Sequence, residues 1–278
     1  MSELAVQSSE IAASCTGVVK VYAGSAGEVS ALKGVDVEIR DAAVTALVGP
    51  SGSGKSSLLR ILAGFDKPTA GSVRIGGVET NGMRPSALRA LRRRAIGFVF
   101  QRPADNLVSY LSVRELLREA AKMGGAVDGW SERADELLAL VRLEHRATHR
   151  PAELSGGEQQ RASFAAVLMH RPSLVVADEP TGELDSGSAR DLLGCVATAA
   201  TQGTAFVIAT HDPVVVEASS RTYHLRHGSI EAEARDQRRL SVIDEAGRIQ
   251  LPADWRQMFP DGRAHIEPGD DHLRIEPP

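Results

Sequence analysis

Residues 49–57, Gly49-Pro50-Ser51-Gly52-Ser53-Gly54-Lys55-Ser56-Ser57, are the stretch whose types and spacing most directly imply chemistry. Glycines at 49, 52 and 54 let a backbone wrap an anion with no Cβ in the way, and a lysine and hydroxyls follow at once. Such a loop cradles phosphates. Lys55 is placed to reach the β- and γ-phosphates of a nucleoside triphosphate, and the Ser56 hydroxyl to ligate Mg²⁺. A second set of oxygens, Asp178-Glu179, follows the apolar run Leu174-Val175-Val176-Ala177. Asp178 is placed to hold Mg²⁺ through water, and Glu179 to orient or deprotonate the water that attacks the terminal phosphate. Alone, a Gly/Ser-rich stretch is a surface loop and a strand-end acidic pair is a solvated turn. In one chain they describe hydrolysis of a phosphoanhydride.

The elements that must position these groups are legible around them. Val44-Thr45-Ala46-Leu47-Val48 reads as a buried strand before the loop, and residues 56–62 as a helix after it. That order aims free helix N–H groups and a positive dipole end at the anion. Carboxylates at the C-terminal end of a parallel strand lie where open α/β sheets bind ligands. A further anion site stands at Ser155-Gly156-Gly157, opening a predicted helix to Met169 with Ala162, Ala165, Ala166 and Met169 on one face. It lies about 100 residues beyond Lys55, so the two sites are not obviously aimed at one phosphate within one chain. Tyr22, Gln101 and His211 carry little signal singly: an aromatic packs, and a polar residue after a strand is satisfied locally. Their interest comes from position, Gln101 after the strand-like run 96–100 and His211 after the run 204–210.

The segment Leu154-Ser155-Gly156-Gly157-Glu158-Gln159-Gln160-Arg161 resembles the signature of the ATP-binding cassette (ABC) ATPases, and residues 15–230 as a whole resemble that domain. The resemblance implies an α/β P-loop NTPase with a RecA-like core, an antiparallel β subdomain and a helical subdomain over about residues 101–170. It implies ATP and Mg²⁺ as ligands. Tyr22 then stacks on adenine, Gln101 joins Ser56 and Asp178 around the metal and links the γ-phosphate to a membrane partner, and His211 contacts the γ-phosphate and supports Glu179. Ser155, Gly156 and Gly157 cap the γ-phosphate held by a second copy of the chain, and Asp185 lies in the loop that communicates across this head-to-tail homodimer. The chain departs from common family wording at Ser57, where Thr is frequent, at Ala42-Ala43 in place of Gly-Glu, and at Gly182-Glu183 in place of Ser-Ala. None of these removes a reacting group.

Composition bounds the rest. The chain has 278 residues and a net charge of −4, which fits one α/β domain plus an appendage and does not indicate nucleic-acid binding. Arg89, Arg92, Arg93 and Arg94 form a basic cluster that reads as an exposed helix end before a strand. Two cysteines, Cys15 and Cys195, have no metal or redox spacing and suit a reducing compartment. No apolar run reaches the ~18 residues that span a bilayer, and the first thirty residues show no signal-peptide pattern. The sequence divides into a nucleotide-binding domain, 1–232, and a tail, 233–278. Residues 16–40 carry short strands, Thr69-Ala70-Gly71-Ser72 is turn chemistry before a strand at 73–75, and Ala134, Leu137, Leu138 and Val141 mark an amphipathic helix.

Among ABC systems, a single cassette with only 53 residues between Gln101 and Ser155 fits the transport class. The wording of residues 101–117 and 177–185 looks most like the subfamily that serves lipoprotein-releasing and macrolide-export permeases of the FtsX-like type; an importer ATPase of the amino-acid type is the alternative, and a non-transport regulatory ABC ATPase a distant third. That resemblance implies integral-membrane permease partners and a cytoplasmic, peripheral place on the inner face of the membrane. The tail begins with a charged linker over 231–239 and continues with strand patterns turning at Ala246-Gly247 and Pro268-Gly269, similar to the swapped hairpin of AbrB-like regulators. Residues 239–278 hold five arginines against eight acids, so DNA binding is not expected of them.

Overall fold

A computed structural model describes residues 11–24, 27–125, 128–235, 238–241, 265–268 and 273–276. The chain opens with two long strands, β1 (Ile11–Gly24) and β2 (Gly27–Arg40), which pair antiparallel. β3 (Val44–Val48) leads through the phosphate loop into α1 (Lys55–Leu62). There follow β4 (Ala70–Ile75), β5 (Val78–Glu79), α2 (Pro85–Ala95) and β6 (Ile96–Val99). Three helices come next, α3 (Val113–Gly124), α4 (Trp130–Leu140) and α5 (Gly156–Leu168). The chain then alternates through β7 (Leu174–Asp178), α6 (Ser186–Thr201), β8 (Ala205–Ala209) and α7 (Pro213–Glu217). It closes with β9 (Arg221–Arg226), β10 (Ser229–Arg235), β11 (Arg238–Ser241), β12 (His265–Pro268) and β13 (Leu273–Glu276).

Two sheets result. One has order β2-β1-β4-β5 and is antiparallel; the other has order β11-β10-β9-β3-β8-β7-β6. In the larger sheet β9, β3, β8, β7 and β6 run parallel, with Leu47 and Asp178 both in register with Ala209 and Val99 with Ala177. Every loop that follows β3, β6, β7 and β8 therefore emerges from one edge.

The central strands are apolar throughout because both faces are covered. Val175, Ala177, Phe206 and Ile208 join a core with Leu116, Leu117, Leu137, Phe164 and Leu192 from the helices. Leu174, Val176, Val207 and Ala209 face the other way, onto Leu58 and Leu62 of α1 and Val18, Val35, Ile39 and Val73 of the antiparallel sheet. The period-two alternation of a strand thus feeds two separate cores. Cys15 is buried in the second, where desolvation and the charge of Asp36 push its thiol up to about 12 and leave it inert. The predicted helix of Ala134, Leu137 and Leu138 is α4, with all three residues buried.

Four expectations are corrected. The strands expected as short pieces over 16–40 are two strands of 14 residues each, begun at Ile11. Ala70, Gly71 and Ser72 lie inside β4 rather than in a turn; Gly71 has a positive φ of 85° and its missing Cβ would lie 2.3 Å from the Gly17 carbonyl, so the glycine serves close strand approach. Phe100 falls just beyond β6. Of the charged linker expected at 231–239, residues 231–235 and 238–239 are instead strand, because β10 pairs with β9 on one side and β11 on the other. Its acids are not solvated: Glu233 pairs with the buried Arg221 at 3.0 Å and Glu231 with Arg226 at 3.8 Å. In the tail, β12 and β13 pair antiparallel, as expected for a turn near Pro268; the turn at Ala246-Gly247 lies outside the described residues.

Candidate functional site

The phosphate loop is built by close approach. A Cβ at Gly49 would stand 2.0 Å from the Leu225 carbonyl, and one at Gly54, where φ is 108°, would stand 2.5 Å from the Ala31 carbonyl. The loop is pinned by Ser53 N–H to the Pro50 carbonyl at 3.2 Å and by Gly228 N–H to the Ser53 carbonyl at 3.0 Å. α3, α5, α6 and α7 each begin with a side-chain cap, from Ser112, Ser155, Asp185 and Asp212. α1 begins at Gly54 with none, so its first N–H groups face the loop uncapped. Ser53 Oγ is buried there without a hydrogen-bond partner, and the Lys55 ammonium is held over the loop by the carbonyls of Gly49 (2.6 Å) and Pro50 (3.1 Å). A glycine-lined ring of N–H donors with an unpartnered hydroxyl and an ammonium fits a polyphosphate. Pro50 and Ser51 form the loop's outer turn, and Gly52 has open space around it at φ 75°.

The acids stand two strands away across the same edge. Asp178 ends β7 with the Ser56 hydroxyl of α1 beside its carboxylate. Burial raises its carboxyl pKa, and the charge of Glu179 adds to this, while Ser56 and the Lys55 ammonium draw it back. A hydroxyl and a carboxylate in contact form a hard-oxygen pair of the kind that Mg²⁺ accepts. Glu179 follows with φ at 44°, a left-handed conformation that costs a non-glycine residue about 1–3 kcal/mol. Its N–H donates to the Ala209 carbonyl at 2.9 Å, and Pro180 beside it is buried. The bend turns the Glu179 side chain toward the loop after β8, where Oε2 lies 2.9 Å from His211 Nδ1 and 3.4 Å from the His211 amide N.

That loop is itself clamped. The Asp212 carboxylate accepts from Thr181 Oγ1 and from Val214 N–H, each at 2.9 Å, and Asp212 N–H donates to Thr210 Oγ1 at 2.9 Å. The ring fastens the turn after Glu179 to the turn that carries His211. Asp212 and the two threonines were not among the sequence candidates; the only sequence trace is their adjacency to His211 and Pro180.

The remaining candidates fall into three places. Gln101 lies exposed beyond β6, the strand beside β7, where Asn106 shapes the turn by accepting from Phe100 N–H and donating to the Phe98 carbonyl. Tyr22, at the end of β1, reaches α1, with its hydroxyl 3.4 Å from Ser57 Oγ. Ser155, Gly156 and Gly157 lie elsewhere. Ser155 Oγ accepts from Glu158 N–H at 3.3 Å and its own N–H donates to the Glu158 carboxylate at 2.8 Å, while a Cβ on Gly157 would meet Ser188 Oγ at 2.8 Å. Asp185 caps α6, accepting from Gly187 N–H, Ser188 N–H and Ser188 Oγ at 2.7–3.0 Å. Those bonds from Ser188 and Gly187 hold its pKa below the usual range. The structure therefore joins the signature turn to Asp185 through Ser188, and joins the phosphate loop to Asp178, Glu179 and His211.

Comparison with known proteins agrees with this geometry. The family described as ABC transporter matches residues 32–182. The macrolide export ATP-binding/permease protein MacB 1 of Aeromonas hydrophila is 39% identical over 221 residues, covering 79% of this chain and 34% of that protein. The chain thus spans about a third of the length of such relatives. The lipoprotein-releasing system ATP-binding protein LolD of Chromohalobacter salexigens is 38% identical over 239 residues, covering 83% of this chain and 97% of that protein. The solved dimeric structure of the ATP-binding cassette MJ0796 in a post-hydrolysis state, bound to ADP and Pi, is 35% identical with a TM-score of 0.73, covering 81% of this chain and 99% of that one. The family match ends at residue 182, and the likeness of the tail to AbrB-like regulators finds no support in these comparisons. A nucleotide cradle, a strand-end acid pair and this cassette fold in one chain have a single reading: the protein belongs to the ABC transporter family and is one of its ATP-hydrolysing cassettes.

Proposed function

We propose that the chain drives a membrane permease of the FtsX-like export type by closing head to tail on a second copy around two ATP molecules. The observation that carries this is the convergence, on one sheet edge, of the phosphate loop, Asp178, Glu179 and His211, with the signature turn held apart on α5. Lys55, Ser53 Oγ and the N–H groups of α1 hold the phosphates, and Ser56 with Asp178 and Gln101 would hold Mg²⁺. When bound, the metal would neutralise phosphate charge. Glu179 orients water in line with the γ-phosphorus and takes its proton; the P–O bond to the β-phosphate breaks, giving ADP and phosphate. His211 fixes the Glu179 carboxylate through Nδ1, and Tyr22 stacks on adenine. Ser155, Gly156 and Gly157 of the partner subunit complete the γ-phosphate shell, with the loop of Asp185 at the seam.

The named functions of the LolD and MacB relatives support export. No helix among the described residues is long and apolar enough to cross a membrane, so the reading assigns that role to a permease. A groove of about 540 Å³ beside the Gln101 turn, lined by Phe98, Asn106, Val108, Leu116, Met123 and His170, supports docking of a permease segment there. Met123 at 71% and Tyr110 at 72% are unusually exposed for apolar side chains. The reading places the protein on the cytoplasmic face of the membrane.

Glu179→Gln tests the chemistry. ATP binding should persist while steady-state hydrolysis falls about 10²–10⁴-fold, the usual worth of a positioned base. Lys55→Ala should weaken nucleotide binding itself. Near wild-type turnover in the Glu179 variant would remove Glu179 from the mechanism.

A further inference from the structure

Tyr22 is 37% exposed, and its hydroxyl and ring meet a cluster of charged groups on β1 and the end of α1. The Tyr22 hydroxyl donates to Asp66 Oδ2 at 2.9 Å. The other oxygen of Asp66 pairs with the Lys20 ammonium at 3.2 Å, and Oδ2 also lies 3.5 Å from Arg60 Nε. Lys20 itself sits over the Tyr22 ring, 4.8 Å from its centroid, and donates to the Lys67 carbonyl at 2.8 Å. Asp66 stands in the turn that leaves α1, with its N–H bonded to the Arg60 carbonyl at 3.1 Å. The carboxylate thus joins the end of β1 to the helix that carries the phosphate loop.

We infer that Asp66 is the positioning residue for the nucleotide's base: it sets the distance and tilt of the Tyr22 ring relative to the phosphate cradle, so that one face is backed by Lys20 and the other receives adenine. This rests on the reading of Tyr22 as the adenine platform and adds what holds that platform in place. A free tyrosine would sample several rotamers, and ordering it on binding would cost affinity. Three cationic or hydroxyl donors on one carboxylate remove that cost beforehand. Asp66 is suited to the task because it stays ionised. Burial raises its pKa, but the hydrogen bonds of Tyr22 and Lys20 and the charges of Lys20 and Arg60 outweigh burial and leave the pKa below the usual carboxylate value. The tether is also short in sequence from the phosphate loop, so base and phosphate recognition share one rigid body, α1 and its flanking turn.

The test uses the full chain and two probes, Mg²⁺-ATP and Mg²⁺-tripolyphosphate, which share phosphates and differ in the nucleoside. Asp66→Ala and Tyr22→Phe should each weaken ATP binding roughly 3- to 10-fold. The double variant should be no worse than either single one, tripolyphosphate affinity should be unchanged, and KM for ATP should rise at constant kcat. Tyr22→Ala gives the reference for loss of the whole ring. If Tyr22→Ala leaves ATP affinity intact, the adenine reading fails and this inference with it. If Tyr22→Ala weakens ATP binding while Asp66→Ala and Tyr22→Phe do not, the platform stands and Asp66 is not its anchor. Equal losses for ATP and tripolyphosphate in Asp66→Ala would make the residue a support of the α1 fold, which also overturns the inference. Tyr22→Phe keeps the proposal decidable should Asp66→Ala fail to fold.

Discussion

In its proposed role Asp178 meets two opposed demands. Holding a cation requires an ionised carboxylate, yet burial and the neighbouring charge of Glu179 raise its pKa. A carboxyl whose folded pKa exceeds its unfolded value contributes stability fully only below the unfolded value, 3.8 for Asp, and loses that contribution as pH rises through the folded pKa. Asp178→Asn keeps the shape and never ionises. Without nucleotide, the variant should melt higher than wild type at neutral pH, and the difference should shrink toward nothing well below 3.8, near pH ~2.5, where Asp178 is protonated both folded and unfolded. Thermal unfolding followed across that range decides it; a pH-independent difference would point to packing instead. The strained φ of Glu179 adds to the same pattern, in which residues that serve chemistry cost the fold stability. Lys55, Asp178, Glu179 and His211 were readable in the sequence because each follows an apolar run with motif spacing. Asp66, Thr181 and Ser188 were not. Asp66 and Thr181 have partners far off in sequence, Tyr22 at 44 positions and Asp212 at 31, while the bond of Ser188 to Asp185 is local and reads as an ordinary helix start.

At the scale of elements, the N-termini of α5 and α6 act as one piece. Asp185 and Ser188 cap α6, and Ser188 fills the space beside Gly157 on the first turn of α5. The two glycines of that turn are therefore different. A Cβ on Gly157 would meet Ser188 Oγ at 2.8 Å and Cβ at 2.9 Å, whereas a Cβ on Gly156 would meet nothing within 4 Å. Gly157→Ala should destabilise the isolated chain by about 1–3 kcal/mol through overpacking. Gly156→Ala should leave stability equal or slightly better, since alanine is the stronger helix former. Its cost, if the signature faces a partner's phosphate, should appear only in ATP-dependent association. Chemical denaturation of both variants, paired with sizing in the presence of ATP, separates the two effects. α1, α4, α5 and the strands β3, β6, β7 and β8 were legible because they show clear apolar runs or 3.6-residue periodicity. The stretch 231–239 was misread because strands beyond the covered part of a sheet can carry charge, and here the charges are answered from the adjacent strand, Arg226 and Arg221 meeting Glu231 and Glu233.

For the whole molecule, the two candidate anion sites have different neighbours. The signature turn bonds to Glu158 and packs on Ser188, while the phosphate loop is surrounded by Asp178, Leu225 and Ala31 of the same chain. In the proposed dimer a second copy brings them together, with each chain lending its signature to the other's nucleotide. Such an arrangement makes a sharp genetic prediction. A chain bearing Lys55→Ala retains Ser155, and a chain bearing Ser155→Arg retains Lys55. Both are placed in a Glu179→Gln background, so that bound ATP is not consumed. Each alone has two damaged sites and should remain monomeric with ATP. Mixed, they form heterodimers in which one site takes Lys55 from the second chain and Ser155 from the first and is whole, while the other site carries both lesions. Light scattering of the 1:1 mixture should therefore show an ATP-dependent dimer absent from either component, and the dimer should disappear on removing Mg²⁺. A mixture that stays as monomeric as its components would reject head-to-tail sharing. It would leave the phosphate loop and Glu179 to act within one chain, a role that the Glu179→Gln turnover measurement tests separately.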